Sequence, residues 1–170
     1  TVYYSVIIFA TFYTAWIATE EFYNKNKSFK LDNAMKLVKE FDCPEMRKVR
    51  DYTVSLRPIR NNKNISDNAF VDLMKNNSTP DTDRIKSEYK IDVPKNFERQ
   101  LVYFFNYWQS VYVNIEYGTA DKNYVEHNLK SAYICLYKDF KAWISVYIKE
   151  HDELQYEDLN KLFRLFGGKV

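Results

Sequence analysis

Three glycines and four prolines are all this 170-residue chain contains. That scarcity works against β architectures, which need turn residues every few positions. It also removes the phosphate-cradling loops, because neither G-x-x-x-x-G-K-[ST] nor G-x-G-x-x-G can be built from Gly118, Gly167 and Gly168. Cysteine is nearly as scarce. Cys43 and Cys135 allow at most one disulfide and form no secreted disulfide framework, so both are expected to be reduced and buried, as in a cytosolic domain. The two histidines, His127 and His151, are too few and too scattered to complete a zinc site with those cysteines. No nucleophile motif of the G-x-S-x-G or H-E-x-x-H type occurs. A formal net charge of +2 supplies no global basic field for nucleic acid. Neither a cofactor nor an enzymatic reaction is indicated.

Apolar residues make up 46% of the chain, enough for a real core, and charged residues make up 28%, too many for a wholly membrane-embedded protein. Charge is unevenly spread. Residues 1–19 carry none, and at ~1.5 Å per residue a helix of that length reaches ~28 Å, close to the hydrocarbon thickness of a bilayer. Tyr3 and Tyr4 near one end, with Trp16 and Tyr23 near the other, match interfacial aromatic belts, and Lys25, Lys27 and Lys30 follow directly. The pattern predicts a single-pass transmembrane anchor over 1–23 and a cytoplasmic helical domain over 24–170, at a bacterial inner membrane. A buried helix and a cleaved signal peptide are the competing readings. Thr11, Thr14 and Ala18 share a face of this helix and suit helix association.

Helical periodicity covers the rest. Ala34, Leu37, Val38 and Phe41 share a face, with Asp32 as the expected cap. Pro44 opens a second helix through Met46, Val49, Thr53 and Leu56, which stops before Pro58. Residues 58–68 and 76–83 read as loops, separated by a short helix capped by Ser66, and another short helix is expected over 80–90. The strongest signal is an unbroken stripe of Phe97, Leu101, Phe104, Trp108, Val111 and Ile115, begun by Pro94 and ended by Gly118. Leu129, Tyr133, Leu136, Phe140, Trp143 and Tyr147 repeat its 4, 3, 4, 3, 4 spacing. These two helices should pack as an antiparallel hairpin. A last helix over 156–166 ends at Gly167-Gly168. The expected architecture is therefore all-α: one transmembrane helix, then a helical bundle containing a long hairpin.

Three segments in this order, KLVKEFDCPEMRKVRDY (36–52), FERQLVYFFNYWQSVYVNIEYG (97–118) and CLYKDFKAWISVYIKEHDE (135–153), follow the hydrophobic N-terminal stretch. Together they resemble the bacterial domain-of-unknown-function family numbered 4760. That resemblance implies a short membrane-anchored helical protein, plausible in prophage or antiphage-defence settings, and carries no catalytic or binding residues with it.

Site chemistry concentrates in residues 47–63, where Arg47, Lys48, Arg50, Arg57, Arg60 and Lys63 face a single acid, Asp51. Helical spacing puts Arg47, Arg50 and Arg57 on one face, opposite Met46, Val49, Thr53 and Leu56. The segment is read as a solvated face, a contact for anionic lipid headgroups, or a site for an anionic nucleotide. Asp81 and Asp83 suit Mg²⁺, or else a helix N-terminus. Tyr103, Tyr107 and Tyr112 flank the 97–115 stripe and would line a pocket or a self-association face. Three functions stay open: a non-enzymatic module for oligomerisation or for binding a protein partner at the inner membrane, a ligand-responsive membrane effector, and an unrecognised hydrolase or nuclease.

Overall fold

The computed structural model describes residues 2–151 and 157–168, with side chains placed for 11–150 and 157–168. All regular structure among them is helical: α1 (Val2–Phe41), α2 (Pro44–Ser55), α3 (Arg57–Arg60), α4 (Asp67–Met74), α5 (Pro80–Tyr89), α6 (Phe97–Glu116), α7 (Lys122–His151) and α8 (Glu157–Leu165).

The two aromatic stripes form the core. Phe105 of α6 stacks on Trp143 of α7 at 5.3 Å and meets Phe140 at 6.1 Å. Three residues further along α6, Trp108 meets Tyr133 at 4.7 Å. Contacts that advance along one helix while receding along the other define the antiparallel sense. Trp108 and Trp143 are both fully buried. Gly118 turns the chain between the helices. At φ +64 it sits in the left-handed region, where Gly118 N–H donates to the Ile115 carbonyl and Thr119 N–H to the Asn114 carbonyl. On one flank of this pair lies α8, tied by the Tyr133 hydroxyl donating to the Leu159 carbonyl at 2.7 Å and by Phe163 stacked on Tyr137 at 4.2 Å. On another lies the C-terminal third of α1. The short helices cover the remaining faces, α2 against α6 and α4 against α7.

Local chemistry explains the short helices. Pro44 occupies the first turn of α2, where its missing N–H costs nothing. Ser66 accepts from Ala69 N–H at 3.2 Å and caps α4 as its sequence position implies. At α5, Thr79 and Thr82 form a reciprocal capping box, and the buried Thr82 hydroxyl also donates to the Asn77 carbonyl at 2.7 Å. Residues 58–68 are not all loop. The chain leaves α2 at Leu56 and makes one more helical turn, α3, with Pro58 inside its first turn and Ile59 buried. Tyr156, expected in the last helix, lies outside the described residues.

α1 departs most from expectation. It is one continuous helix through Asp32, which is therefore mid-helix rather than a cap. No glycine or proline occurs before Pro44, so nothing in the backbone stops it earlier. The side chains of residues 1–10 of the expected 1–23 span lie outside the described residues. Among the described residues no helix is long and apolar enough to cross a membrane. In sequence the uncharged run is broken up by polar groups. It carries the hydroxyls of Thr11, Tyr13, Thr14 and Thr19 and runs straight into Glu20 and Glu21. This overturns the placement of the chain as a single-pass inner-membrane protein with a cytoplasmic C-terminal domain.

Candidate functional site

The six cations of 47–63 do not converge. Because α2 ends at Ser55, Arg57 starts a new helix and leaves the face that Arg47 and Arg50 would share with it. Arg47 is exposed and donates to the Asp42 carbonyl at 3.4 Å. Lys63 is exposed. Arg60 pairs with Asp67 at 3.0 Å and lies over the Phe70 ring at 5.9 Å. Thus Arg47, Arg50 and Arg57 are not one exposed row, although Met46, Val49, Thr53 and Leu56 are buried beneath α2.

Two cavities divide the rest of the cluster. The larger, about 500 Å³, opens between α2 and the first turn of α6 and is lined by Glu45, Lys48, Asn96, Arg99, Gln100 and Tyr103. Lys48 and Arg99 carry its positive charge, and Tyr103 stands 55% exposed as a flat wall. The Glu45 carboxyl is held below the usual carboxylate range, first by its own backbone hydrogen bond, then by Cys43 and with Lys48 nearby. Arg99 and the α6 N-terminus escape a search for basic runs, since Arg99 stands 39 residues beyond Arg60, outside the 47–63 cluster. The signal available was an aromatic stripe whose first turn carries Arg99 beside Glu98.

The smaller cavity, about 170 Å³, lies where α2, α3, α6 and α7 meet the end of α1. Arg50 and Arg57 both line it, with Phe104, Trp108, Cys135 and Leu136. Arg50 lies over the Phe41 ring at 4.7 Å and reaches Asp42 at 3.4 Å. Arg57 donates through Nε to Asp139 at 2.7 Å, and that hydrogen bond raises its already high pKa. Cys135 is a free thiol, as is Cys43. Contrary to expectation Cys135 is exposed, because the α7 stripe buries Tyr133, Leu136 and Tyr137 and turns residue 135 outward, while Cys43 is half-buried.

The remaining candidates stay apart. Asp81 pairs with Arg84 at 3.3 Å and Asp83 accepts from Ser78, both in the first turn of α5. Among the described residues no three His, Cys, Asp or Glu side chains gather as a metal site would require. His127 is exposed, and the His151 side chain lies outside the described ones. Tyr107 is buried and Tyr112 half-buried beside Lys161.

A third feature is a surface. Every side chain over 11–29 of α1 is exposed, including Phe12 (72%), Trp16 (64%) and Tyr23 (66%). Phe12, Trp16, Thr19 and Tyr23 are spaced 4, 3, 4, and eleven residues past Tyr23, about three turns, the same face begins to bury Ala34, Leu37 and Phe41. The stripe that seats α1 on the bundle therefore continues beyond it.

A family model described as "Domain of unknown function (DUF4760)" matches residues 5–165, nearly the whole chain. The chain belongs to the DUF4760 family. The match takes in every helix described above, so the long α1 and the α2–α6–α7 cavities belong to the DUF4760 unit itself. No curated protein and no solved structure matches this DUF4760 chain.

Proposed function

We propose that this protein is a non-enzymatic assembly module that associates with a second copy of itself through the length of α1 beyond the bundle. The observation that carries this reading is the exposed stripe of Phe12, Trp16, Thr19 and Tyr23, continuous with the face that α1 buries intramolecularly. Helices with aromatic residues left in water gain most of their stability when that face is covered. Four aromatics, Phe12, Tyr13, Trp16 and Tyr23, each about two-thirds exposed, offer on the order of 500 Å² per copy, so a pair buries roughly the 1,000 Å² a specific interface needs. An antiparallel pair sets Phe12 against the partner's Tyr23 and the large Trp16 against the small Thr19 of the partner subunit, whereas a parallel pair would stack Trp16 on itself. Light scattering on the full chain in detergent-free buffer, from about 1 to 100 μM, should read a dimer mass that Trp16→Glu reduces to a monomer with unchanged helicity. A monomer throughout, or a chain that stays in solution only in detergent, rejects the proposal.

A second reading is favoured by the 500 Å³ cavity. Lys48 and Arg99 would hold the phosphate of a mononucleotide whose base lies on Tyr103 and whose edge meets Gln100 or Asn96. Calorimetric titration with nucleoside monophosphates tests it: binding must weaken about tenfold or more in Lys48→Ala and Arg99→Ala.

A further inference from the structure

The 170 Å³ cavity between α2, α6 and α7 holds a mismatch between what lines it and what those groups need. No carboxylate lines it, yet two guanidinium groups do. Arg57 engages Asp139 through Nε and Arg50 reaches Asp42 through one Nη, which leaves the outer N–H groups of both half-exposed forks available to a further acceptor. Trp108, fully buried, also lines the cavity, and its indole N–H has no hydrogen-bond partner among the described residues. A buried donor left in that state is costly, and buried polar groups in native proteins are almost always paired. Most of the remaining lining is hydrocarbon, from Phe104, Leu136 and Val54.

We propose that this cavity binds a small organic anion with a flat apolar body, a carboxylate of the benzoate class. Size sets the limit, since a cavity of about 150 Å³ accommodates benzene and this one is slightly larger. Guanidinium forks match the two oxygens of a carboxylate better than they match a point acceptor. The carboxylate lies toward Arg50 and Arg57, one oxygen accepts from the Trp108 indole N–H, and the ring packs on Phe104 and Leu136. This assignment is independent of self-association through α1, and it uses a different cavity from the one lined by Lys48 and Arg99.

The test uses the full chain labelled with ¹⁵N and sodium benzoate as the probe, with neutral, isosteric benzamide as its control. Benzoate should bind with a submillimolar dissociation constant, and benzamide at least tenfold more weakly. The indole N–H resonance of Trp108 should move downfield as it gains an acceptor, while that of Trp143, equally buried and likewise unpartnered but outside this cavity, stays in place. Arg57→Gln should weaken benzoate at least tenfold, with the fold checked by the unchanged Trp143 resonance. If Arg57→Gln does not fold, the wild-type resonances decide alone. No shift at Trp108 up to 10 mM probe (about tenfold above the weakest binding compatible with the site), equal binding of benzamide, or equal shifts at both indoles would overturn the proposal.

Discussion

The Tyr107 hydroxyl, buried inside α6, donates to the Leu37 carbonyl of α1 at 2.9 Å. This bond joins the aromatic core to the helix that leaves it, and the Tyr107 ring lies 6.0 Å from Phe41 one turn further along α1. Burial pushes the Tyr107 phenol far above its ordinary pKa, with Glu40 and Asp42 adding to the shift, so the hydroxyl remains a donor throughout the physiological range. Tyr107→Phe should cost ~0.5–1.5 kcal/mol, the net worth of one hydrogen bond. Chemical denaturation with an unchanged m-value would measure it, and a cost near zero would mean the bond contributes nothing to seating α1.

Trp143 stacks between Phe105 at 5.3 Å and Tyr147 at 4.9 Å. Trp143→Ala should therefore cost ~3–5 kcal/mol, because removing a large ring from a close-packed core adds a cavity term to the transfer term. A change below about 1 kcal/mol in equilibrium unfolding would contradict the packing described here.

Gly168 closes α8 against the ring of Phe163. A Cβ at this position would stand 2.4 Å from two atoms of that ring, which is itself 2% exposed and stacked on Tyr137. Gly168→Ala should cost ~1–3 kcal/mol by overpacking. Combined with Phe163→Leu, which removes the ring edge, the alanine should cost markedly less. Thermal unfolding of the four-member cycle reads that coupling, and strictly additive effects would disprove the clash.

Alkaline pH should destabilise the bundle in a defined window. The Tyr52 phenol, whose hydroxyl donates to the Asp92 carbonyl at 3.1 Å, has its pKa pushed up to about 12, by burial first and by the Asp92 carboxylate second. A raised folded-state pKa means this contribution is complete below pH 10, the ordinary value. It is lost as pH climbs from 10 toward 12, where the unfolded chain alone releases the proton. Tyr107, Tyr133 and Tyr137 are shifted in the same direction by burial. Denaturant midpoints should fall between pH 10 and 12 and fall less steeply in Tyr52→Phe. A flat profile over that interval would count against these shifts.

Much of the fold could be read from spacing alone. The stripes of α6 and α7 fixed both helices and their buried Trp108 and Trp143, and Ser66 marked the start of α4, because periodicity and capping act over a few residues. What spacing could not reach was tertiary. That Arg57 would meet Asp139, 82 positions away, and so leave the row formed by Arg47 and Arg50, depends on how α3 sits on α7. The pairing of Lys48 with Arg99 across one cavity depends likewise on α2 packing against α6. The uncharged run at the N-terminus was over-read. An apolar, aromatic segment meets the same local criteria whether its aromatics face lipid, a bundle or another helix, and the continuation of that segment as α1 down to the seated Leu37 and Phe41 is visible only in three dimensions.

α1 is a rod of ~60 Å clamped over its last dozen residues, from the Lys30 carbonyl, which accepts from Asp121 N–H, to Phe41. The arm ahead of the clamp is about 40 Å and the clamp about 17 Å. Mechanically this is a lever, and whatever grips the arm acts on the clamp with a gain of roughly two. At the far end of the clamp the Phe41 ring carries the Arg50 guanidinium on its face. A tilt of the arm too small to disturb the bundle would thus shift an arginine at the wall of the smaller cavity, and an occupant of that cavity would in turn stiffen the arm.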